Sequence, residues 1–537
     1  MFKKTQNEQL DMFRQSYSLL SEAAQKKLEA EHSWNRVVFN QFVSKVDERI
    51  YSVLYTSDKG RPNSSIRVLL GMMLIKELNG WSDEQLFDQC LFNIRVKSAL
   101  GIHHADQDVP VESTYYDFRR KVAEYLQNTG IDLIEQTFNS VCAEQIQDLE
   151  ISGTKIRMDS KLIQSNIARV NRLQFILEAL RKHIEPLDVK PLKVHLQESQ
   201  YNLLLSFKEK TTSNITYNLS KADKEDMLIS LGQMIQVMIK LNYVQSGSVL
   251  YKVFEEQYES SQDNDEQPPS ISLKPSKEIG SDSIQSVHDT DAGFRRKGQE
   301  GKVQKVQGYH CNLTETCDEE GKPNLITNVI TKPANISECE FLEPAIRSTE
   351  EKLKAGDKVK KVITDGGYDS KSNRTAMENS QVSWELQKLK GSKHVYKMNY
   401  NEAGQLEVRD KKTDEVLEVR WSTKAAKHVI KNVNGSRRYL EEQKVTEYIQ
   451  AAKILGEVNK QDSNLRANVE ASIHEVFHRL GRRNKIRYRG EIKCHWYALM
   501  RAMGVNVGRI ARHLELFLFS ILTSIYTLVI IRKSSHS

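Results

Sequence analysis

Three acidic side chains have the types and positions that a divalent-metal site would use. Asp159 follows a strand-like stretch, Asp365 ends another just before two glycines, and Glu470 lies at the start of a long helical pattern. Magnesium ions in proteins prefer a few carboxylates together with water and substrate phosphate. Two such ions about 4 Å apart can activate a nucleophile and stabilise the leaving oxygen of a phosphodiester. Because the chain has 71 acidic residues, spacing alone also allows each of the three to be a cap or a surface charge.

A competing metal motif overlaps the helix of Glu470. Residues 474–478 (HEVFH) match H-E-x-x-H, in which two histidines bind zinc and the glutamate activates water. A zinc site needs a third ligand, for which Glu491 and Glu515 are the available candidates. At about 100° per residue, Glu475 is rotated about 140° from Glu470, so we expect Glu470 to join the two aspartates. The residues that share the face of Glu470 are Arg466, His474 and Phe477.

Basic residues are concentrated directly after this helix. From Arg479 to Lys493 there are seven Lys or Arg and one Glu, with Tyr488 between them. Such a density beside a catalytic carboxylate would neutralise DNA phosphates near the scissile bond, although a solvated basic turn has the same pattern. The net charge of +7 permits a nucleic-acid partner without requiring one. The basic residues that we expect to contact DNA here are Arg466, Arg479, Arg482, Arg483, Lys485, Arg487, Arg489 and Lys493.

Residues 1–145 have the pattern of short helices with tight turns. Asn79 and Gly80 end one apolar helix, and Ser82 with Gln85 forms a capping box for the next. A later helix capped at Ser113 carries aromatic residues next to basic ones. This arrangement fits a helix-turn-helix-like DNA-binding unit and an ordinary bundle with a solvated basic face equally well. The basic residues concerned are Arg119, Arg120 and Lys121.

Strand patterns then alternate with helical ones, which predicts an α/β fold with a mixed sheet. Because adjacent strands lie about 4.8 Å apart, carboxylates at neighbouring strand ends can converge on a metal pair. Strands are expected at residues 155–159, 308–315, 325–331 and 359–364, with a helix at 341–353. The predicted parts are 1–145, a helical N-terminal domain; 146–169, the first part of the core; 170–280, a helical insertion and acidic, proline-rich linker; 281–390, the continued core; 391–460, a β-rich insertion; and 461–537, C-terminal helices that carry Glu470.

Composition limits the class of protein. Hydrophobic residues make up 39% and charged residues 28% of the 537, which excludes wholesale disorder and a polytopic membrane protein. Six cysteines form no C-x-x-C pair, so a disulfide scaffold and a zinc ribbon are unlikely and a reducing compartment fits. Residues 1–31 have no apolar secretory segment. The apolar run at 516–531 is shorter than the roughly 20 residues of a bilayer span, so a buried terminal helix is preferred to a tail anchor.

Two shorter segments leave alternatives open. Residues 288–292 (HDTDA) contain acids that would either assist the metal site or cap a turn, and we favour the turn. Gln164 and Asn166 follow Asp159 closely, which suits either polar neighbours of the substrate or ordinary strand-end residues.

Several motifs follow one another along most of the chain. They are residues 62–122, 158–166 (MDSKLIQSN), 307–309 (QGY), 331–335 (TKPAN), 364–369 (TDGGYD), 466–470 (RANVE) and 487–490 (RYRG) with Lys493. In this order they resemble the bacterial insertion-sequence transposases of the Asp-Asp-Glu type. The chain differs from many of these relatives at Ser463 and Phe477, where they carry Tyr and Lys. Arg479, Arg482 or Lys485 would then supply the contacts of those side chains with terminal DNA.

The resemblance implies a DNA transposase with an RNase H-like catalytic core. It implies that Asp159, Asp365 and Glu470 are the catalytic residues and that they bind two Mg²⁺ or Mn²⁺ ions. The expected reaction is cleavage at the ends of a mobile element, followed by transfer of the 3′-hydroxyl into target DNA. Its partners would be terminal inverted repeats, target DNA and a second copy of the chain, with no membrane partner.

The expected location is the cytoplasm, at the bacterial nucleoid. The main alternative is an inactive, sequence-specific DNA-binding derivative of a transposase. A zinc metalloprotease that uses residues 474–478 is a remote alternative.

Overall fold

The computed structural model shows helices arranged around a mixed β-sheet, with two insertions. It describes residues 1–4, 20–56, 62–102, 108–207, 209–260, 271–298, 303–386, 396–401, 403–446, 448–449 and 460–534, with side chains described in these ranges except at 460–467 and 516–534.

The strands form three separate sheets. In chain order they are β1 (Lys155–Gln164), β2 (Tyr258–Ser260), β3 (Ile271–Leu273), β4 (Gly293–Lys297), β5 (Gln304–Thr316), β6 (Ile326–Pro333), β7 (Lys361–Thr364), β8 (Ser383–Leu386), β9 (Tyr396–Tyr400), β10 (Leu406–Asp410), β11 (Val416–Ser422), β12 (Lys427–Lys431) and β13 (Arg437–Leu440). In the central sheet, β5 pairs antiparallel with β1, β4 and β6. Strand β1 pairs parallel with β7, and β7 pairs parallel with β8. This is the mixed sheet that the sequence predicts for an RNase H-like core.

Strand β1 is longer than its sequence pattern indicates. The alternating pattern predicts a strand that ends at Asp159, but β1 continues to Gln164. Its partner β5 has 13 residues and pairs with β1 as far as Gln164 opposite Gly308. Hydrogen bonding to this long neighbour extends β1 beyond the point where its own pattern stops. Asp159 therefore lies in the middle of the strand rather than after it.

Helices fill most of the chain before β1. The capping box of Ser82 and Gln85 is confirmed, and Gly80 ends its helix in the left-handed conformation, with φ +70°. The helix predicted to be capped at Ser113 instead has Val111 as its N-cap. Apolar side chains of these helices share one buried cluster with the central sheet and the last helix of the chain. The helices are Glu22–Glu29, Trp34–Gln41, Ile66–Asn79, Asp83–Phe92, Ile94–Ala99, Glu112–Thr129 and Leu133–Asp148.

The two insertions have apolar clusters of their own. The first contains β2 and β3 and packs around the buried Ile176, Leu180 and Ile235. The second is the five-stranded antiparallel sheet β9 to β13, with a small core that includes Val408 and Ile430. The helices of the first insertion are Arg172–Ile184, Glu198–Ser206, Thr212–Thr216, Lys221–Lys240 and Val249–Gln257.

The remaining helices flank the central sheet or follow the second insertion. Leu342–Glu350 and Lys371–Ser380 lie on either side of β7 in the chain. The Glu470 helix is Lys460–Phe477, so Glu470 lies in its second half and not at its start as the pattern suggests. The C-terminal helix is Glu491–Ser534. It includes residues 516–531, whose side chains lie outside the described part of the chain. Of the helices in the described residues, none is both long and apolar enough to span a membrane.

A buried ion-pair network, here called the Glu315 network, ties the Glu470 helix to the central sheet. Glu315 on β5 is 1% exposed and accepts from Arg157 Nε of β1 at 2.7 Å. Ser472 Oγ of the Glu470 helix donates to the same carboxylate at 2.7 and 2.8 Å, and Arg509 Nη1 of the C-terminal helix lies at 2.6 Å. Arg509 also pairs with Glu475 at 2.9 Å. Burial alone would lower the pKa of Arg509, but Glu315 and Glu475 raise it. Four elements therefore meet at one carboxylate.

We predict that Glu315→Ala lowers the free energy of unfolding by about 3–5 kcal/mol, because it removes the carboxylate that pairs with the buried Arg157 and one of the two carboxylates that pair with Arg509. Urea denaturation followed by circular dichroism measures this change. The control is Glu343→Ala, which removes an exposed pair with Arg347 and should change stability little. Equal stability losses in the two variants would contradict the role of the Glu315 network.

Candidate active site

Asp159 lies on β1, and Asp365 directly follows the neighbouring parallel strand β7. The register of β1 and β7 places Arg157 opposite Ile363. Continued by two residues, this register aligns Asp159 with Asp365. Because side chains alternate along a strand, both carboxylates belong to one face of the sheet, on strands about 4.8 Å apart. Both residues are half-buried.

Backbone amides hold one oxygen of each aspartate. Asp159 Oδ1 accepts from the amide of Ser160 at 2.7 Å. Asp365 caps the short 3₁₀ turn Gly366–Tyr368, and its Oδ1 accepts from the amide of Gly367 at 2.7 Å. The strand end predicted at Asp365 is therefore confirmed, and the cap fixes the direction of its side chain.

Tyr368 lies among several carboxylates. Its side chain is fully buried, and its hydroxyl donates to Asn312 Oδ1. Burial raises the pKa of Tyr368 well above its usual value, and the negative charges of Asp159, Glu338 and Asp365 raise it further. We call these three acids the carboxylate cluster. All three carboxylates are thus near enough to Tyr368 for their charges to raise its pKa.

Glu338 is the member of the carboxylate cluster that sequence analysis did not identify. It follows β6 at the start of a short helical turn and is 4% exposed. Burial would raise its pKa, but the hydrogen bond of His310 and the charges of Lys297, His310 and Arg295 lower it to about 2. The only local signal is its position three residues after the motif at 331–335.

Glu470 is close to β1 in the fold but is not part of the carboxylate cluster. Its helix packs against β1, and Ser472, two residues later, belongs to the Glu315 network. The Glu470 side chain is exposed. Among the described residues, the ligand atoms that form a set of three within 4.8 Å of one another belong to Asp132, Glu135 and His495. The predicted triad therefore does not form such a compact set among the described residues.

The set of Asp132, Glu135 and His495 joins two helices. Asp132 caps Leu133–Asp148 through the amide of Ile134 at 2.8 Å and accepts from Trp496 Nε1 at 2.8 Å. Glu135 Oε2 lies 3.8 Å from His495 Nε2. These three side chains thus make hydrogen bonds or close charge contacts with other groups of the protein.

The basic stretch after the Glu470 helix lines an open cleft of about 720 Å³, which we call the basic groove. The groove adjoins the end of β1, because Gln164 O accepts from the amide of Ile486 at 2.9 Å. Five residues of strand separate Asp159 from Gln164, a distance of about 17 Å. Arg487 is committed to an ion pair with Glu77, and its guanidinium lies 5.1 Å from the ring of Tyr488. The polar and charged residues of the groove are Asn166, His478, Arg479, Arg482, Lys485 and Arg487.

The other basic residues have different surroundings. Arg489 Nε donates to Asn166 O at 2.8 Å, whereas Arg483, which has φ +63°, and Lys493 are exposed. The side chain of Arg466 lies outside the described residues. Lys161 was not identified from the sequence, although strand alternation puts it on the face of Asp159. Its Nζ lies 5.8 Å from the ring of Phe477, and burial lowers its pKa.

The basic residues of Glu112–Thr129 face acids of their own helix. Arg120 pairs with Asp117 and with Glu124, the latter at 2.8 Å. Lys121 pairs with Asp117 at 2.9 Å and lies 5.0 Å from the ring of Tyr55. Arg119 lies 5.4 Å from the ring of Tyr115. Arg120 and Lys121 therefore have acidic partners on their own helix, and the DNA contacts of this helix stay a prediction.

In residues 474–478, the glutamate that would activate water forms ion pairs instead. Glu475 pairs with Arg509 at 2.9 Å and with Arg512 at 3.3 Å. His478 Nδ1 accepts from Arg501 at 3.2 Å, and Glu491 pairs with Lys332 at 2.9 Å. The charge of Glu475 is therefore neutralised by two arginines rather than directed to a water.

The acids of residues 288–292 cap the C-terminal helix, as the turn interpretation requires. Asp289 is buried, and it accepts from Tyr309 Oη at 2.5 Å and from the amide of Gly490 at 3.0 Å. Asp291 accepts from the amide of Glu491 at 3.0 Å. Gln164 Nε2 donates to Lys305 O at 2.9 Å, so this side chain stabilises the end of the strand.

Two family models match the chain. One is described as a Transposase domain (DUF772) and matches residues 22–121, which include most of the helices before β1. The other is described as a Transposase DDE domain and matches residues 282–507, which include Glu338, Asp365 and Glu470 but not Asp159. No curated protein and no solved structure matches the chain.

We predict that Glu475→Gln lowers the free energy of unfolding by about 1–3 kcal/mol, because Arg509 and Arg512 lose charged hydrogen-bond partners. Purified wild-type protein should contain no stoichiometric zinc. Elemental analysis and thermal unfolding test both statements. Stoichiometric zinc that disappears in His474→Ala would restore the zinc-site hypothesis.

Proposed function

This chain belongs to the DDE transposases of insertion sequences, and we propose that Asp159, Asp365 and Glu470 are its catalytic residues. The observation that supports the proposal is the parallel pairing of β1, which carries Asp159, with β7, which Asp365 follows directly. Glu470 follows from the family motif and from its helix, which packs against β1. A DNA transposase is an enzyme that breaks and joins phosphodiester bonds, so these acids must serve phosphoryl transfer.

Transposases of this family use divalent metal ions, and we propose two Mg²⁺ or Mn²⁺ ions here. The donors fit such ions, because carboxylate oxygens surround Tyr368 and hard cations prefer oxygen ligands. Asp159, Asp365 and Glu470 would hold the ions. When bound, the ions would activate the attacking oxygen and neutralise charge on the phosphate.

The protein's own residues fix and orient the reactants. The amides of Ser160 and Gly367 hold the aspartates, so their remaining oxygens keep one orientation. In the first step, a water oxygen attacks phosphorus at the element end and the 3′-oxygen leaves as a hydroxyl. In the second step, that 3′-hydroxyl attacks a target phosphodiester, a new phosphodiester forms, and the target 3′-oxygen leaves.

We propose that the basic groove binds the phosphate backbone of the element end. Arg479, Arg482 and Lys485 line it. Backbone pairing with Gln164 attaches the groove to the strand that carries Asp159. Lys161 lies between the groove and Asp159 along β1 and would contact phosphate closer to the scissile bond.

Two element ends must be joined in one reaction, and we propose that a homodimer brings them together. Because DNA is the substrate, the proposed site of action is the nucleoid in the bacterial cytoplasm. An inactive DNA-binding derivative is not favoured, since all three acids are retained.

We predict that Asp159→Asn and Asp365→Asn each reduce cleavage of terminal-repeat DNA by more than about 100-fold. Loss of a metal ligand should exceed the 10–100-fold effect of losing a ligand's partner. A gel assay with Mg²⁺ measures the product. The control Asp357→Asn changes an exposed acid in the loop before β7 and should cleave normally. Full activity in either catalytic variant would remove the proposed mechanism.

We predict that Arg479→Ala combined with Lys485→Ala weakens DNA binding similarly for different sequences. Each lost phosphate contact should make the slope of log K against log salt less steep by about 0.9. Fluorescence anisotropy at several salt concentrations measures this slope. Lys354→Ala with Lys358→Ala removes two exposed charges outside the groove and should leave the slope unchanged. An unchanged slope in the groove variant would place the DNA elsewhere.

A further inference from the structure

Glu338 has one oxygen fixed by the protein and one facing the catalytic aspartates. Oε1 accepts from Ser160 Oγ at 3.2 Å and from Lys297 Nζ at 3.4 Å, and it lies 3.4 Å from His310 Nε2. Ser160 is the residue after Asp159. A carboxylate that is 4% exposed is thus attached directly beside the first catalytic aspartate.

The other oxygen, Oε2, points at the turn that carries Asp365. A Cβ atom placed on Gly367 would lie 1.6 Å from Glu338 Oε2 and 2.8 Å from Asp365 Oδ1. Both carboxylates therefore crowd the same point, and glycine is required there because a side chain would occupy the space of Glu338. The hydrogen bonds given above involve Oε1, whereas Oε2 lies beside the turn that carries Asp365.

Two acids in this position repel each other unless a positive charge lies between them. Lys297 and His310 lie on the side of Oε1, away from this gap. A divalent cation that contacts both oxygens would remove this repulsion.

We propose that Glu338 is a fourth acidic residue of the catalytic centre and that its Oε2 binds a divalent cation together with Asp365. This inference rests on the proposed function and adds a ligand that the three-acid motif does not contain. The alternative is that Glu338 only packs against the turn Gly366–Tyr368.

Direct Mn²⁺ binding to the full-length protein distinguishes these roles. Isothermal titration or electron paramagnetic resonance gives the affinity without DNA and without turnover. In Glu338→Gln, which keeps the size and removes the charge, Mn²⁺ affinity should fall by about tenfold or more. The control Glu343→Gln changes an exposed acid on the next helix and should bind Mn²⁺ as the wild type does.

A second variant keeps the test decisive if Glu338→Gln folds poorly. Glu338→Asp keeps the charge and loses the length, so a cation ligand predicts higher Mn²⁺ affinity in the Asp variant than in the Gln variant. A packing role predicts the reverse order, and that order, or wild-type affinity in Glu338→Gln, overturns the inference. The proposed function is tested separately, since it fails only if Asp159→Asn or Asp365→Asn still cleaves DNA normally.

Discussion

The position of the Glu470 helix on the central sheet depends on one buried carboxylate, that of Glu315. Two arginines and a serine from three other elements converge on it, so its loss removes the shared partner of all three groups. Arg157 is two residues before Asp159 on the same face of β1, and Ser472 is two residues after Glu470. The network therefore fixes the two elements that contribute the first and last acids of the family motif. Hydrogen bonds in such a network support one another, so the elements should order together.

A further buried arginine joins the helices before β1 to the Glu470 helix. Arg501 donates to the carbonyls of Glu77 and Leu78 at 3.0 and 3.1 Å, where the helix Ile66–Asn79 ends. It also donates to the carbonyls of Glu475 and Val476 at 2.6 and 2.8 Å. Since the last carbonyls of a helix have no partners within it, one guanidinium satisfies two helix ends. The N-terminal helices are thus part of the same packed unit as the Glu470 helix.

The sequence predicts features that depend on local chemistry and misses those that depend on distant partners. The capping box at Ser82 and the strand end at Asp365 follow from residues close together in the chain, and both are observed. The length of β1 depends on β5, about 150 residues later, so its own alternation stops too early. The position of Glu338 beside Asp365 depends on three strands and a turn, and no short motif encodes it.

Charged residues show the same limit of prediction from the sequence. Arg487 belongs to the basic stretch, yet its partner Glu77 lies more than 400 residues earlier in the chain. Residues 474–478 match a zinc motif, but the C-terminal helix supplies two arginines to its glutamate. The sequence shows which charged residues and possible metal ligands are present. Only the folded structure shows which of them already form ion pairs or hydrogen bonds with other residues. The predicted triad, metal ions and DNA contacts therefore stay proposals that the experiments above address.

Strand β1 also sets the distance between Asp159 and the basic groove. It is hydrogen-bonded on both sides near Asp159 and attached to the basic turn at Gln164, so its length cannot change when a ligand binds. At about 3.4 Å per base pair, the span between these two points corresponds to about five base pairs of duplex. If the basic groove binds DNA as proposed, a phosphate held there would be offset by this interval from the phosphate that is cut, and the length of β1 would then set the cleavage position.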